Sequence, residues 1–314
     1  MMQDIATERK SSWLQATARQ RVSGFLDKGT FVEFLGPSER VQSPHLSLFD
    51  LPRAFDDGVV VGRGKLDGKD VLLAAQEGKF MGGTFGEVSG AKIIGLLRAA
   101  RDSDGDKEGG VPKTVLLLLD SGGVRLQEAN AGELAVSEIM RAIVEARRAG
   151  VTVLALVGGT SGAFGGAGLI SATCSRIVIS EAGRTGVSGP EVIETNKGVE
   201  EFDSSNKSLV WSVDGGKNRR LIGGADAFAP DTMDGFRTAT LAVLDRVAPP
   251  CTLETLQAEH GRLAARQDKL GACSDAVSMW KTLGIAEAEA IRDMEDSDFM
   301  RIADQLKEAN HDAR

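Results

Sequence analysis

The clearest pattern in the chain is an alternation between continuous apolar runs and segments whose apolar residues recur every three or four positions. Val115 to Leu119, Val153 to Val157 and Arg176 to Ser180 read as strands, and Val88 to Ala100 and Ala131 to Arg148 as helices. A strand that is apolar at every position must be covered on both faces, which is the habit of parallel strands joined by helices. The expected class is α/β.

Upstream, Leu14, Ala18, Val22, Phe25 and Leu26 share one face of a 3.6-residue period, with Gly29 as the expected stop. Short β-like runs follow at Phe31 to Phe34, Val59 to Gly64 and Val71 to Gln76, and Asp67-Gly68 makes the last two a hairpin. From Cys251 onward, Leu253, Leu256, Leu263, Val277, Trp280 and Ile285 fall at helical spacing among Ala, Glu, Lys and Arg. Glu200 to Asp231, rich in Ser, Asn, Gly and Lys, reads as loop with short elements. The pattern shows no internal repeat and divides the chain into an N-terminal helix (1–30), a core (31–250) and a C-terminal helical extension (251–314).

Composition narrows the function. Across 314 residues, 37 basic and 45 acidic side chains give a net charge of -8, and no basic patch offsets it, so nucleic acid is not an expected partner. Cys174, Cys251 and Cys273 are odd in number and lack CxxC spacing, which argues against a disulfide framework and a zinc site and fits the cytoplasm. Met1 to Trp13 carries Asp4, Glu8, Arg9 and Lys10 without an apolar stretch, so no secretory signal is expected and the Asn206-Lys207-Ser208 sequon is accidental. Val151 to Ser175 is uncharged and long enough to span a bilayer, but six glycines crowd its middle. It reads instead as a buried strand, a glycine loop and the start of a buried helix.

Two glycine clusters follow buried strands and precede helices: Ser121-Gly122-Gly123-Val124 after Asp120, and Thr160 to Gly166 after Val157. A helix start leaves N–H groups without partners, the helix dipole adds partial positive charge, and glycine admits a ligand close to the backbone. Either cluster alone is explained by tight packing, but two in succession point to an oxyanion hole. A third cluster, Met81 to Gly86, also stands before a helix.

Other chemistries find no support in the residues. The chain has neither a GxxxxGK[ST] loop nor a full GxGxxG fingerprint. His45, His260 and His311 form no HxxxH pair and accompany no GxSxG elbow, which argues against a triad or metal centre. What remains is a site of main-chain donors, suited to reactions that gather negative charge on a carbonyl oxygen.

Phe80 to Gly86, Asp120 to Glu128 and Ala163 to Gly166, in this order and spacing, resemble the carboxyltransferase motifs of acyl-CoA carboxylases. Ala18 to Arg21 and Gly29 to Glu33 resemble that family's N-terminal helix and first strand, so the likeness covers roughly residues 15 to 245. Within the family, Leu126 to Glu133 and Ser188 to Glu194 are most similar to the β subunits of biotin-independent malonate decarboxylases. The four-cysteine zinc ribbon of the bacterial acetyl-CoA carboxylase β subunit is not matched.

The resemblance implies a crotonase-like (ClpP/crotonase) ββα superhelix and a γ subunit of related fold. It also implies a malonyl thioester carried on an acyl carrier protein by a CoA-derived arm, with no cofactor or metal on this chain and no biotin. It assigns the oxyanion hole to Gly122, Gly123, Val124, Gly165 and Gly166, and substrate binding to Gly82, Gly83 and Arg125. Arg125 either faces substrate or pairs with Glu128, three residues on. The expected activity is decarboxylation through an enolate, with water or a partner residue as proton donor. The alternatives are a biotin-dependent carboxyltransferase subunit, a noncatalytic scaffold, or a hydratase or hydrolase acting alone.

Overall fold

The apolar runs become the centre of a seven-stranded sheet among the described residues of the computed structural model, which are 11–49, 55–103 and 110–310. The strands are β1 (Val32–Glu33), β2 (Val59–Leu66), β3 (Lys69–Gln76), β4 (Thr114–Leu119), β5 (Thr152–Val157), β6 (Ala163–Phe164), β7 (Arg176–Ile179), β8 (Thr185–Gly186) and β9 (Ala227–Phe228). The main sheet runs β1-β2-β3-β4-β5-β7-β9, antiparallel at its β1, β2 and β3 end and parallel from β3 to β9, while β6 and β8 pair separately. The expected hairpin is present, with Asp67 and Gly68 both at positive φ in a two-residue turn.

Side-chain alternation splits the interior into two layers. Val115, Leu117 and Leu119 of β4 join one core with Ile93, Ile139, Ile143 and Ile170, from α2 (Glu87–Asp102), α3 (Asn130–Arg148) and α4 (Gly166–Thr173). Leu116 and Leu118 face the other core, where Val22 and Phe25 of α1 (Ala18–Phe25) meet Trp13 and Phe236. The Trp13 and Phe236 rings stack there at 4.0 Å. This double covering is why the parallel strands carry apolar residues at every position.

Three expectations are adjusted. Helix α1 ends at Phe25 because Leu26 turns extended and buries its side chain, and Gly29 stands in the turn beyond. The first β-like run shortens to Val32–Glu33. The polar segment folds further than its composition indicates, because Val210, Leu221 and Phe228 each find a buried place. After α5 (Pro190–Lys197) it forms α6 (Lys207–Asp214), α7 (Gly216–Leu221) and β9, with Gly215 dividing the helices. Beyond lie α8 (Met233–Leu244), α9 (Leu253–Leu270), α10 (Ala276–Thr282) and α11 (Asp296–Asn310), and the tail buries Trp280, Ile291 and Phe299 against Leu221 and Phe228. Residues 1–10 and His311 lie outside the described part. Among the described residues no helix is long and apolar enough to cross a membrane, and no cluster of His, Cys, Asp and Glu has metal-holding geometry.

The tail is tied down by Lys217, whose Nζ donates to Met294 O at 2.6 Å and to Arg292 O at 3.3 Å. Beside it, Glu181 accepts the Lys217 N–H at 2.8 Å. Burial pushes the Glu181 carboxyl up from the ordinary 4.5 to about 7, with Asp296 adding and Lys217 opposing. A folded pKa above the unfolded one favours the protonated form, so this stabilisation is complete below about pH 4.5 and is lost as pH rises through about 7. Glu181→Gln should therefore flatten the pH dependence of stability across that window and be the more stable protein at about pH 8, by about 1–3 kcal/mol. Urea denaturation across the window checks this, and parallel curves for the two proteins would refute it.

Candidate active site

Strands β4 and β5 pair in register up to Leu119 and Val157, so the chain leaves both at the same edge of the sheet. The turns that follow are thereby neighbours. A second ladder of parallel bridges crosses them, joining Phe85 to Val124, Ser121 to Ala163, and Ala163-Phe164 to Thr185-Gly186. Each turn is thus stitched to the next before its helix begins.

Glycine makes this approach possible. Gly123 has φ +128, and a Cβ there would stand 3.5 Å from Phe164 O and 3.9 Å from Gly166 N. Gly165 has φ 55 and ψ -125 as it enters α4, a region open to glycine and strained for other residues. A Cβ on Gly83 would fall 1.8 Å from Asp120 O, which packs the third turn against the first two.

The amides divide into those that build the turns and those left over. Gly122 N–H donates to Gly82 O at 3.0 Å, and Gly123 N–H to Ser121 Oγ at 3.1 Å. These two glycines, expected as oxyanion donors, therefore spend their N–H groups inside the protein. Among the described residues, the N–H groups of Val124 and Gly166 have no protein acceptor, the latter because it opens α4. Val124 is half-buried and Gly166 buried, so the two donors lie in adjoining turns where water competes weakly.

The three residues expected to bind substrate fare differently. Gly82 is exposed at φ +67, whereas Gly83 is buried and donates to Phe80 O. Arg125 is fully buried: Nη1 meets Asp56 at 2.7 Å and Glu128 at 2.8 Å, and Nη2 donates to Thr84 O at 3.3 Å. Of the two expectations for this side chain, contact with substrate gives way to the pairing with Glu128, because both terminal nitrogens of the buried guanidinium end on protein oxygens, while Nε has no hydrogen-bond partner among the described residues. Glu128 in turn accepts the Glu87 N–H at 2.6 Å and the Ser43 hydroxyl at 2.8 Å. Those hydrogen bonds and Arg125 hold its carboxyl below the usual range although burial alone would raise it.

Asp56, Gln76 and Arg184 were not singled out from sequence. Asp56 is separated from Arg125 by 69 positions, so no spacing rule connects them. Arg184 lies against Phe164 and Trp211, with ring centroids 5.8 and 4.7 Å away, and burial lowers its pKa. Among the described residues the two histidines stand apart: His45 Nε2 faces Glu87 at 2.5 Å, and His260 is exposed on α9.

Residues 15–217 match the family model of the carboxyl transferase domain. The chain belongs to the carboxyl transferase family. Its sequence is 37% identical over 311 residues to the malonyl-S-ACP:biotin-protein carboxyltransferase of Malonomonas rubra, covering 94% of this chain and 96% of that protein. It is 31% identical to the propionyl-CoA carboxylase beta chain of Saccharopolyspora erythraea, covering 58% of this chain and 31% of that longer one. Among solved structures, a chain of the Pseudomonas malonate decarboxylase hetero-tetramer in complex with malonate shares 40% identity at a TM-score of 0.76. That match covers 88% of this chain and 99% of the other. The resemblance to carboxyl transferases and malonate decarboxylase subunits therefore holds, and the crotonase-like fold with it.

The buried triad of this carboxyl transferase chain gives a direct prediction. Arg125→Met leaves Asp56 and Glu128 buried without their cation and should destabilise the fold by about 3–5 kcal/mol. Denaturant unfolding measures it, and a loss below about 1 kcal/mol would mean that the triad holds the fold no more strongly than an exposed ion pair does.

Proposed function

We propose that this chain is the catalytic subunit of a malonate decarboxylase, converting a malonyl thioester on an acyl carrier protein to the acetyl thioester. The observation that carries this reading is the pair of unpartnered amides, Val124 and Gly166, in glycine turns that touch at the ends of β4 and β5. In the reaction the carboxylate leaves as CO2, the electrons of the broken C–C bond enter the thioester, and negative charge gathers on its oxygen. Donors fixed beforehand at that oxygen lower the barrier without a general base. A proton from water or from the partner then reaches the α-carbon. Gly122, Gly123 and Gly165 shape the turns that hold these donors, and exposed Gly82 borders them for the substrate.

The acyl carrier protein supplies the CoA-derived arm, and this chain contributes no cofactor of its own. Exposed apolar side chains at Leu126, Leu134, Leu169, Val187 and Val192 lie on the turns and helices that follow the core strands. They support a γ subunit of related fold covering that face, in a cytoplasmic complex. The hetero-tetramer formed by the Pseudomonas relative agrees with such an assembly.

A second reading is favoured by the Malonomonas rubra relative, named for transfer to a biotin protein. The same enolate would then arise while CO2 passes to biotin. Release of CO2 from malonyl thioester by the chain co-expressed with its γ partner, in the presence of avidin, separates the two: avidin-insensitive release supports decarboxylation, and activity that needs a biotin protein supports transfer.

The noncatalytic scaffold is tested at the turns. Gly123→Ala forces a side chain into φ +128, and Gly166→Ala sets a Cβ 2.4 Å from Val136 Cγ2. Each should lower kcat about 10²- to 10³-fold by displacing a donor, in a complex that still assembles. Full activity in a folded complex would mean that the glycines serve packing alone.

A further inference from the structure

We propose that Asp120 and Gln76 are positioning residues for the amide pair, setting the separation of the glycine turns without touching substrate; this rests on the enolate reading above. Asp120 is the first residue beyond β4, and its carboxylate is almost wholly buried. One oxygen accepts the Ser161 N–H at 2.7 Å, which ties the turn after β4 to the turn after β5. The other oxygen meets Arg21 at 2.9 Å, and Arg21 is itself fixed by donation from Nε to Trp13 O at 2.9 Å. The main-chain N–H of Asp120 donates to Gln76 Oε1 at 3.2 Å. Gln76 Nε2 then donates to Gly83 O at 2.9 Å, bringing in the turn after β3. Two side chains thus join three turns, and one of the three carries Val124 and another Gly166.

The surrounding glycines are arranged for this carboxylate. A Cβ on Gly159 would fall 1.9 Å from Asp120 Cγ, and one on Gly78 would fall 2.5 Å from Oδ2. Any side chain at either place would push the carboxylate off Ser161. A buried ion pair adds little net stability compared with apolar residues of the same shape, so stability alone is a weak reason for Asp120 and Arg21 to be charged. An apolar replacement would leave the Ser161 N–H without its acceptor, and the turn would lose its anchor.

The test uses three variants of the assembled complex with its γ partner. Gln76→Met removes both side-chain hydrogen bonds at nearly constant volume, Gly159→Ala displaces the carboxylate without removing a bonding group, and Asp120→Asn removes its charge. Each should lower kcat about 10- to 100-fold while KM for malonyl thioester stays within about twofold, since misplacement of the donors acts on the transition state. Hydrogen exchange should quicken by about tenfold at residues 121–124 and 159–166 with protection in β4 and β5 unchanged. Unchanged kcat per folded complex in Gln76→Met and Gly159→Ala, or exchange that rises evenly through the sheet, would reduce the pair to ordinary structural residues. If the wild-type complex neither releases CO2 from malonyl thioester nor passes it to a biotin protein, the enolate reading fails, and the exchange pattern still decides whether these residues hold the turns.

Discussion

The pairing of β4 with β5 is the constraint on which the rest depends. Six consecutive residues align from Thr114 with Thr152 to Leu119 with Val157, and both strands are covered on both faces. A slip of one residue would exchange the two faces of β4 and set the following turns out of step. Because the layers it faces differ, one with Ile139 and Ile170 and the other with Trp13 and Phe236, the packing specifies a single register. The closeness of Gly123 to Gly166 follows from that register together with the backbone freedom of glycine.

Charge is used in the same region as mechanical linkage. Arg21 with Asp120 and Arg125 with Asp56 are buried ion pairs drawn from distant parts of the chain, and Glu128 joins the second from three residues away. Buried ions are desolvated at a free-energy cost that their attraction only partly offsets. What they supply is direction: a carboxylate accepts several N–H groups at once, and a guanidinium presents a planar fork of donors. Glu128 accordingly holds the start of α2 through Glu87 N–H, and Asp120 holds the turn at Ser161.

The sheet, the long helices and the glycine turns of the candidate site were legible in the sequence because each rests on a local period or a local breaker. Helix α3 begins at Asn130 against an expected Ala131, and the uncharged Val151 to Ser175 stretch resolves into β5, a glycine turn and α4. The division of labour among the amides was not legible. Whether Gly123 N–H is free depends on the rotamer of Ser121, and whether Val124 N–H is free depends on a bridge to Phe85. Arg125 was read as a possible ligand since only Glu128 lay at a recognisable spacing, while Asp56 reaches it through the fold. The polar segment hid α6 and α7 because their helical propensity is ordinary and their stability comes from tertiary packing, including Val210 and Leu221.

A site built from main-chain donors favours a reaction step more than a substrate. On the proposed reading, Val124 and Gly166 stabilise charge on a thioester oxygen, and that charge is the same whether the departing CO2 escapes or is handed to an acceptor. Decarboxylation and carboxyl transfer therefore share their costly step and diverge in what reaches the α-carbon or receives the carbon dioxide. On that reading, the residues that govern the divergence would come from whatever covers the turns, beside which Leu126 and Val187 stand exposed. On the same reading this chain would fix the common intermediate, and the surface that closes over it would select the outcome. The proposed reading would thereby account for one fold serving both a malonate decarboxylase subunit and a malonyl-S-ACP:biotin-protein carboxyltransferase, both of them similar to this chain.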